Sequence, residues 1–166
     1  MAVQFEDYSI KIKAALDDAA IAFLNEVAES LADQAAMNTS KAKDHEPDVR
    51  NSWEYKVDEA EGVAKIGSKL EAVYWTEFGT GDYAIHHDGR PGWWVYIEGQ
   101  SSQGGGKTYT SQEEAEAAAM FLRKVKHLKA YATKGKEAER PLFSAYNHLK
   151  TAIIKRAEEI FGSELK

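Results

Sequence analysis

Residues 72–81, which read AVYWTEFGTG, are the stretch that decides the fold of this chain. Apolar and aromatic side chains recur there at the spacing of one helix face, which predicts one or two helical turns ended by Gly79. We expect Gly79 to adopt a positive φ angle. A strand is the alternative interpretation. A second aromatic block, RPGWWVY at residues 90–96, follows a polar loop and predicts a strand over residues 93–97.

The part of the chain before this centre predicts a long helix and a β-hairpin. Apolar residues recur at three- and four-residue steps from Asp7 to Met37, and neither Gly nor Pro interrupts them. Residues 38–50 are polar and contain a proline, so they predict a flexible loop. Residues 51–58 alternate between apolar and polar, and residues 63–68 follow a Glu-Gly turn. These two segments predict an antiparallel pair of strands.

The part after the centre predicts further helices. Residues 99–106 are rich in Gly, Ser and Gln and predict a second flexible loop, followed by a short fourth strand at residues 107–109. Ser111 and Glu114 form a capping-box pattern that opens a helix over residues 112–130, in which Glu114 reaches back to the Ser111 amide. Pro141 suits the first turn of a last helix, which Gly162 is expected to follow.

Length and composition indicate one domain, over residues 1–166, that folds in the cytoplasm. The chain has 166 residues, of which 43% are apolar and 29% charged, and it contains no cysteine. It has no apolar run long enough to span a membrane, and its first residues lack the basic start and apolar core of a secretory signal. The pattern therefore predicts no disulfide, no thiolate metal site and no membrane association.

The charge is unevenly distributed along the chain. The net charge is −6, which argues against nucleic-acid recognition, because neutralising phosphates requires a basic surface. Residues 1–40 carry seven acids and two bases, residues 41–122 fifteen acids and eight bases, and residues 123–166 five acids and eleven bases. Such asymmetry can orient partners in an assembly. The alternative is two solvated helix surfaces of opposite sign.

Motifs that would indicate catalysis or a cofactor are incomplete. Residues 104–108 read GGGKT, but the first glycine of a phosphate-binding loop is missing and the next helix starts only after Ser111. His86, His87 and Asp88, with Asp82 and Glu77 nearby in sequence, offer metal ligands, although adjacent histidines in an extended loop generally point apart. No serine-triad order is present. We therefore predict no enzyme and no cofactor.

The tryptophans favour protein contacts. Trp93 and Trp94 are adjacent, so on a strand they face opposite ways and one of them points away from the core. An outward tryptophan is typical of a protein interface. The predicted contact residues are Trp75, Trp93 and Trp94, with Arg90 at the rim. The run Glu77, Phe78, Gly79 and Thr80 is predicted to be a structural turn, in which Glu77 accepts backbone amides.

Several of these motifs, in this order, resemble the tail-component family of long-tailed bacteriophages. They are RNS at residues 50–52, IGS at 66–68, YWTEFGTG at 74–81, GRPGWWVY at 89–96, TKG at 133–135 and RPLFSA at 140–145. The resemblance covers residues 45–160. It lacks the run that often precedes the Arg-x-Ser element in the family, and the helix after Ser111 is similar to an insertion found in some members only.

The resemblance implies an α+β fold, in which a small antiparallel sheet is packed by long N- and C-terminal helices. It implies a structural protein without catalysis at the head–tail junction, in the neck or at tail completion. Its partners would be sister copies in a ring and the head connector or the tail tube, and its location the virion. The competing hypotheses are a small metal-dependent hydrolase that uses the His86, His87 and Asp88 loop with Glu77, and a host-encoded protein-binding module.

Overall fold

The computed structural model describes residues 9–40, 48–98 and 106–164, and side chains within 17–40, 48–98 and 106–162. Four helices and four short strands occur in these ranges, which confirms the α+β class. The helices are α1 (Ser9–Asn38), α2 (Glu71–Phe78), α3 (Gln112–Lys126) and α4 (Pro141–Glu164). The strands are β1 (Glu54–Asp58), β2 (Val63–Gly67), β3 (Trp94–Ile97) and β4 (Ala130–Thr133). Most of both predicted loops, over residues 38–50 and 99–106, lies outside the described ranges.

The chain groups into two compact units. One comprises Met1–Val73 with Pro141–Lys166, and the other Tyr74–Arg140, so α2 begins in the first and ends in the second. We refer to them as the helical unit and the central unit. That the whole chain acts as one domain stays a prediction.

The core of the helical unit lies between α1, α4 and the hairpin. Alanines at positions 28, 32 and 35 are buried on α1, and their small side chains let the neighbouring elements approach closely. Leu31, Ala35 and Ala145 form the buried cluster, and partly buried side chains pack against it: Val27, Trp53, Ile66, Leu142, Leu149 and Ile153. The apolar repeat predicted for the first long helix thus supplies part of the surface that the fold buries, through Val27, Leu31 and Ala35.

Polar groups at the edge of this core are paired with one another. The indole nitrogen of Trp53 donates to Thr39 Oγ1 over 2.9 Å, and that hydroxyl donates to the carbonyl oxygen of Ala35 over 2.8 Å. Asn38 Nδ2 donates to the carbonyl oxygen of Pro141 over 3.1 Å, which connects the end of α1 to the start of α4. Because buried polar groups are costly when unpaired, these bonds fix where the hairpin and α4 meet α1.

The predicted hairpin is confirmed, but its first strand starts later than expected. β1 and β2 are antiparallel, and Tyr55 lies opposite Ile66. Asn51 and Ser52, predicted to begin the strand, belong instead to a 3₁₀ turn over Arg50–Ser52. The Asp48 side chain accepts from the backbone and side-chain nitrogens of Asn51 at 3.1 and 2.6 Å, which favours this local turn over an extended backbone.

The central unit contains a second antiparallel pair, β3 with β4, against which α3 packs. The prediction of one small sheet was therefore wrong: the described residues form two separate pairs of strands. The expected fourth strand at residues 107–109 is reduced to one bridge, in which Tyr109 N donates to Trp93 O over 2.7 Å. The partner of β3 is β4, whose first residue, Ala130, had been assigned to the end of the predicted helix over residues 112–130.

That partner strand exists because α3 stops at Lys126 rather than at residue 130. His127 adopts the left-handed conformation with φ 52°, and its backbone N–H bonds to Leu122 O. The chain then turns, and Glu98 N donates to Lys129 O over 2.9 Å, which begins the pairing with β3. Apolar spacing did not reveal this end because neither Gly nor Pro marks it.

In α3 and α4 the helix starts follow the prediction more closely than the helix ends. Ser111 caps α3 by accepting from Glu114 N over 3.2 Å, as predicted. The Glu114 carboxylate, however, accepts from Thr110 rather than from the Ser111 amide, at 3.3 Å from the Thr110 nitrogen and 3.0 Å from its hydroxyl. α4 begins at Pro141 as predicted, but it continues through Gly162 to Glu164, so the expected stop at that glycine was wrong.

Candidate protein interface

The turn after α2 has the predicted backbone geometry. Gly79 N donates to Trp75 O over 2.9 Å, and Gly79 has a φ of 74°. The prediction of helical turns ended by a glycine at positive φ is confirmed, and the strand alternative is wrong. Glu77 is only 8% exposed. That its carboxylate accepts the amides of the turn stays a prediction.

The turn is held by the segment that leads into α4. Thr80 N donates to Lys136 O and Asp82 N donates to Lys134 O, both over 2.9 Å. In return, Lys136 N donates to Thr80 Oγ1 over 2.9 Å. Two motifs that lie more than fifty residues apart in the sequence, at residues 74–81 and 133–135, thus form one hydrogen-bonded structure in the central unit.

Glycines make this close backbone approach possible. A β-carbon on Gly135 would overlap the carbonyl oxygen of Thr80, and one on Gly81 would overlap that of Lys134. One on Gly89 would overlap the backbone of Gly81. Gly81 and Gly135 also have positive φ angles, of 62° and 124°. We call the paired segments 79–82 and 134–136 the glycine junction; its hydrogen bonds hold the two segments together beneath the side chains around it.

Cations lie over the aromatic rings beside the glycine junction. The guanidinium carbon of Arg90 is 5.4 Å from the centre of the Trp94 ring. Lys134 Nζ is 5.2 Å from the Tyr83 ring and 5.9 Å from the Trp93 ring. Each such contact contributes about 0.5–1 kcal/mol at an exposed site. Trp93 and Trp94 therefore each contact a different cation, as expected for neighbours on a strand.

Arg90 is also fixed by hydrogen bonds. Its Nε and Nη2 atoms donate to Thr108 Oγ1, each over 3.2 Å, and Nη2 also donates to the carbonyl oxygen of Gly106. The guanidinium plane is thus held over Trp94 before any partner binds. An arginine whose orientation is already set loses less conformational entropy on binding than a free one.

Trp75 belongs to a separate aromatic group on and after α2. The Tyr74 ring lies 5.0 Å from the Trp75 ring and 4.9 Å from the Phe78 ring, and Phe78 lies 5.0 Å from His86. Trp75 is exposed, whereas Trp93 and Trp94 are both half-buried. The four predicted contact residues all lie in the central unit. Their role in an interface stays a prediction.

The histidine loop brings no set of metal ligands together. His86, His87 and Asp88 are exposed, and His87 is in the left-handed region with φ 56°. Within residues 9–40, 48–98 and 106–164, no three His, Asp or Glu side chains are grouped so that they could hold a metal ion. The hydrolase hypothesis therefore gains no support from this loop. Residues 104–105 of the Gly-rich motif lie outside the described ranges.

Two charged groups differ from their ordinary pKa. The pKa of Glu113 is lowered, because its carboxylate accepts hydrogen bonds from its own backbone amide and from the Ser111 hydroxyl. The pKa of Arg156 is raised, because it donates to Glu26 and is attracted by that carboxylate, with Nε 3.0 Å from Oε1. Both groups are on helix surfaces, where they orient side chains and do not indicate acid–base chemistry.

Sequence patterns missed three features of the central unit. The first is Lys134, whose ammonium group lies over the Tyr83 and Trp93 rings because the glycine junction sets the position of its backbone. The second is the close backbone contact between Gly81 and Gly135. The glycines in both turns were the only sequence signal for this contact. The third is an exposed apolar surface on α3, formed by Met120, Phe121 and Val125. The available sequence signal was that these three apolar residues do not lie on the same side of the helix as Ala115 and Ala119.

Among the described helices, none is long and apolar enough to cross a membrane. No curated protein and no solved structure matches the chain. Residues 4–79, a little under half of the chain, match the HK97-gp10-like family, which is described as "Bacteriophage HK97-gp10, putative tail-component". The matched segment includes α1, the hairpin and α2, and it ends at the glycine that terminates α2. This match confirms the resemblance of the chain to the phage tail-component family.

Proposed function

We propose that this chain is a structural protein of a phage or prophage, which completes the tail at the head–tail junction by assembling into a ring. The observation that carries the proposal is the family match over residues 4–79. A tail component acts through protein–protein contacts within the virion, and no catalysis is required of it. Its expected partners are sister copies and the head connector, the tail-tube protein or both.

The surface around the glycine junction, together with Trp75 on α2, is the proposed contact site for one of these partners. Aromatic residues and arginine are enriched where binding energy concentrates in interfaces. Trp75 presents an exposed ring, while Arg90 is already fixed over Trp94 by its bonds to Thr108 and Gly106. We expect this surface to bind with little rearrangement of its backbone.

The test is assembly of the purified protein, alone and with connector or tail-tube protein, followed by sedimentation and negative-stain imaging. We expect rings, or monomers that assemble on one of these partners. Arg90→Ala and Trp75→Ala should each weaken partner binding, since hot-spot truncations cost about 2 kcal/mol or more. A monomer that binds neither partner would contradict the proposal.

Tyr146→Ala provides a matched control for these variants. Tyr146 is an exposed aromatic side chain on α4, and Lys150 Nζ lies 6.0 Å from its ring, so it resembles the predicted site chemically but lies in the other unit. Its removal should leave partner binding unchanged.

A further inference from the structure

Large apolar side chains are exposed to water on one side of α3. Ala115 and Ala119 are fully buried on the other side of the helix. Met120, Phe121 and Val125 are 47%, 56% and 59% exposed. Exposed apolar side chains that are contiguous on one helix surface often mark an interaction site. We call Met120, Phe121, Lys124 and Val125 the α3 outer face.

The α3 outer face becomes basic toward the end of the helix. Lys124 lies in its last turn. Arg123 is bonded to Glu116 over 3.3 Å, and Lys129 to Glu98 over 3.2 Å. No ion pair with a described residue is found for Lys124. The face therefore combines an apolar part with unneutralised positive charge.

A complementary surface lies on α1, on the side away from Ala28, Leu31 and Ala35. Its members follow one another at three- and four-residue steps, and they are Ala22, Glu26, Glu29, Asp33 and Met37, all exposed. We call Glu29, Asp33 and Met37 the α1 outer face. Met37 is 66% exposed.

The α1 outer face has unneutralised negative charge. Glu26 is paired with Arg156, whereas the described residues provide no ion-pair partner for Glu29 or Asp33. These two carboxylates are four residues apart on one helix surface, so they repel each other and destabilise α1 slightly. A cationic partner would remove this cost.

The order of apolar and charged residues along the α3 outer face is complementary to their order along the α1 outer face. Along α3 the apolar residues 120 and 121 come before Lys124, and along α1 the acids at 29 and 33 come before Met37. At 1.5 Å per residue the two patches are roughly 8 and 12 Å long. An antiparallel arrangement would place Met37 against Phe121 and both acids near Lys124.

We propose that the α3 outer face of one copy binds the α1 outer face of a second copy of this chain. The inference rests on the proposed function, since it identifies the contact by which copies would assemble. The interface is heterologous, because each copy contributes two different surfaces. Such contacts propagate from copy to copy and give a closed ring when the rotation between neighbours closes.

Charge reversal in two separate chains tests this contact directly. The variant Lys124→Glu makes both faces acidic, and the variant Glu29→Lys with Asp33→Lys makes both faces basic. We expect each variant alone to assemble at least about tenfold more weakly than wild type, as like charges then face each other. Mixing the two should restore assembly with alternating copies, because every contact again joins opposite charges.

Restored assembly of the mixture separates a lost contact from a lost fold, and circular dichroism and thermal melts of each variant provide a second check. The control is Lys56→Glu with Lys65→Glu, two exposed lysines that face each other across β1 and β2. This control should assemble like wild type. Phe121→Ser should also weaken assembly, while Ile154→Ser, which changes a similarly exposed residue on α4, should not.

The inference is overturned if wild type stays monomeric at high concentration, if either charge variant assembles normally, or if the folded variants fail to assemble when mixed. Each variant is also tested for binding to connector and tail-tube protein. A monomer that still binds one of them would overturn this contact and leave the proposed function standing. If wild type binds neither the connector nor the tail-tube protein, the proposed function itself is contradicted.

Discussion

At the scale of single residues, the central unit depends on positions where no side chain fits. Gly81 and Gly135 have positive φ angles and lie against the backbone of the other segment of the glycine junction. A substitution there meets two independent penalties, because the backbone angle disfavours a side chain and the facing carbonyl occupies its space.

Gly135→Ala should therefore lower the free energy of unfolding by about 1–3 kcal/mol. Urea unfolding followed by tryptophan fluorescence measures the change. Gly62→Ala is the matched control, because Gly62 has a φ of 63° and nothing within 4 Å of its would-be β-carbon. If both variants lose the same free energy of unfolding, the close backbone contact at the glycine junction contributes nothing to stability.

The buried carboxylate of Glu77 gives a second prediction at this scale. Glu77 is almost fully buried, and a buried polar group normally contributes through its bonds. Glu77→Ala should lower stability by about 1–3 kcal/mol, since it leaves the groups around it without their partner. A melting temperature equal to that of wild type would contradict the structural role predicted for this residue.

At the scale of elements, sequence patterns predicted how α3 and α4 begin better than how they end. Ser111 and Pro141 each mark a start through local chemistry that one sequence displays. The end of α3 at His127 depends instead on pairing between β3 and β4, which is a contact between distant residues. β4 was missed for the same reason, because its alternation is short and follows a helical pattern.

Ser111→Ala should destabilise α3 by about 1 kcal/mol, because the Glu114 amide loses its acceptor. It should also raise the pKa of Glu113 toward its ordinary value. The lowered pKa in wild type gives a small stabilisation that is present above the ordinary pKa and lost as the pH falls through the lowered one. Unfolding measured across the acid range should show a weaker acid-side loss in the variant, and Ser111→Asp should retain the cap.

At the scale of the whole molecule, the charge distribution read from the sequence has a structural counterpart. The acidic first part of the chain supplies the carboxylates on α1, and the basic last part supplies Lys124 at the end of α3. The candidate interface was only partly predictable. Trp75, Arg90, Trp93 and Trp94 could be named from residue type, but the contacts that orient Arg90 come from residues 106 and 108.

Self-assembly should therefore weaken as salt is added. The screening length falls from about 10 Å at 0.1 M to about 3 Å at 1 M ionic strength, which removes most attraction between exposed charges. Sedimentation velocity at both salt concentrations measures the shift toward monomer. The alternating mixture of charge-reversed chains should show the same sensitivity, whereas assembly that strengthens with sodium chloride would indicate a contact dominated by apolar burial.

The glycine junction has one more consequence, for how this chain can vary. The polypeptide departs from Thr80 and comes back at Lys136, and the two points are hydrogen-bonded to each other. The segment between these two residues therefore begins and ends at the same place in the fold. A shorter or longer segment can replace it while Thr80 and Lys136 stay hydrogen-bonded, so related chains with the same fold can present different docking surfaces to different partners.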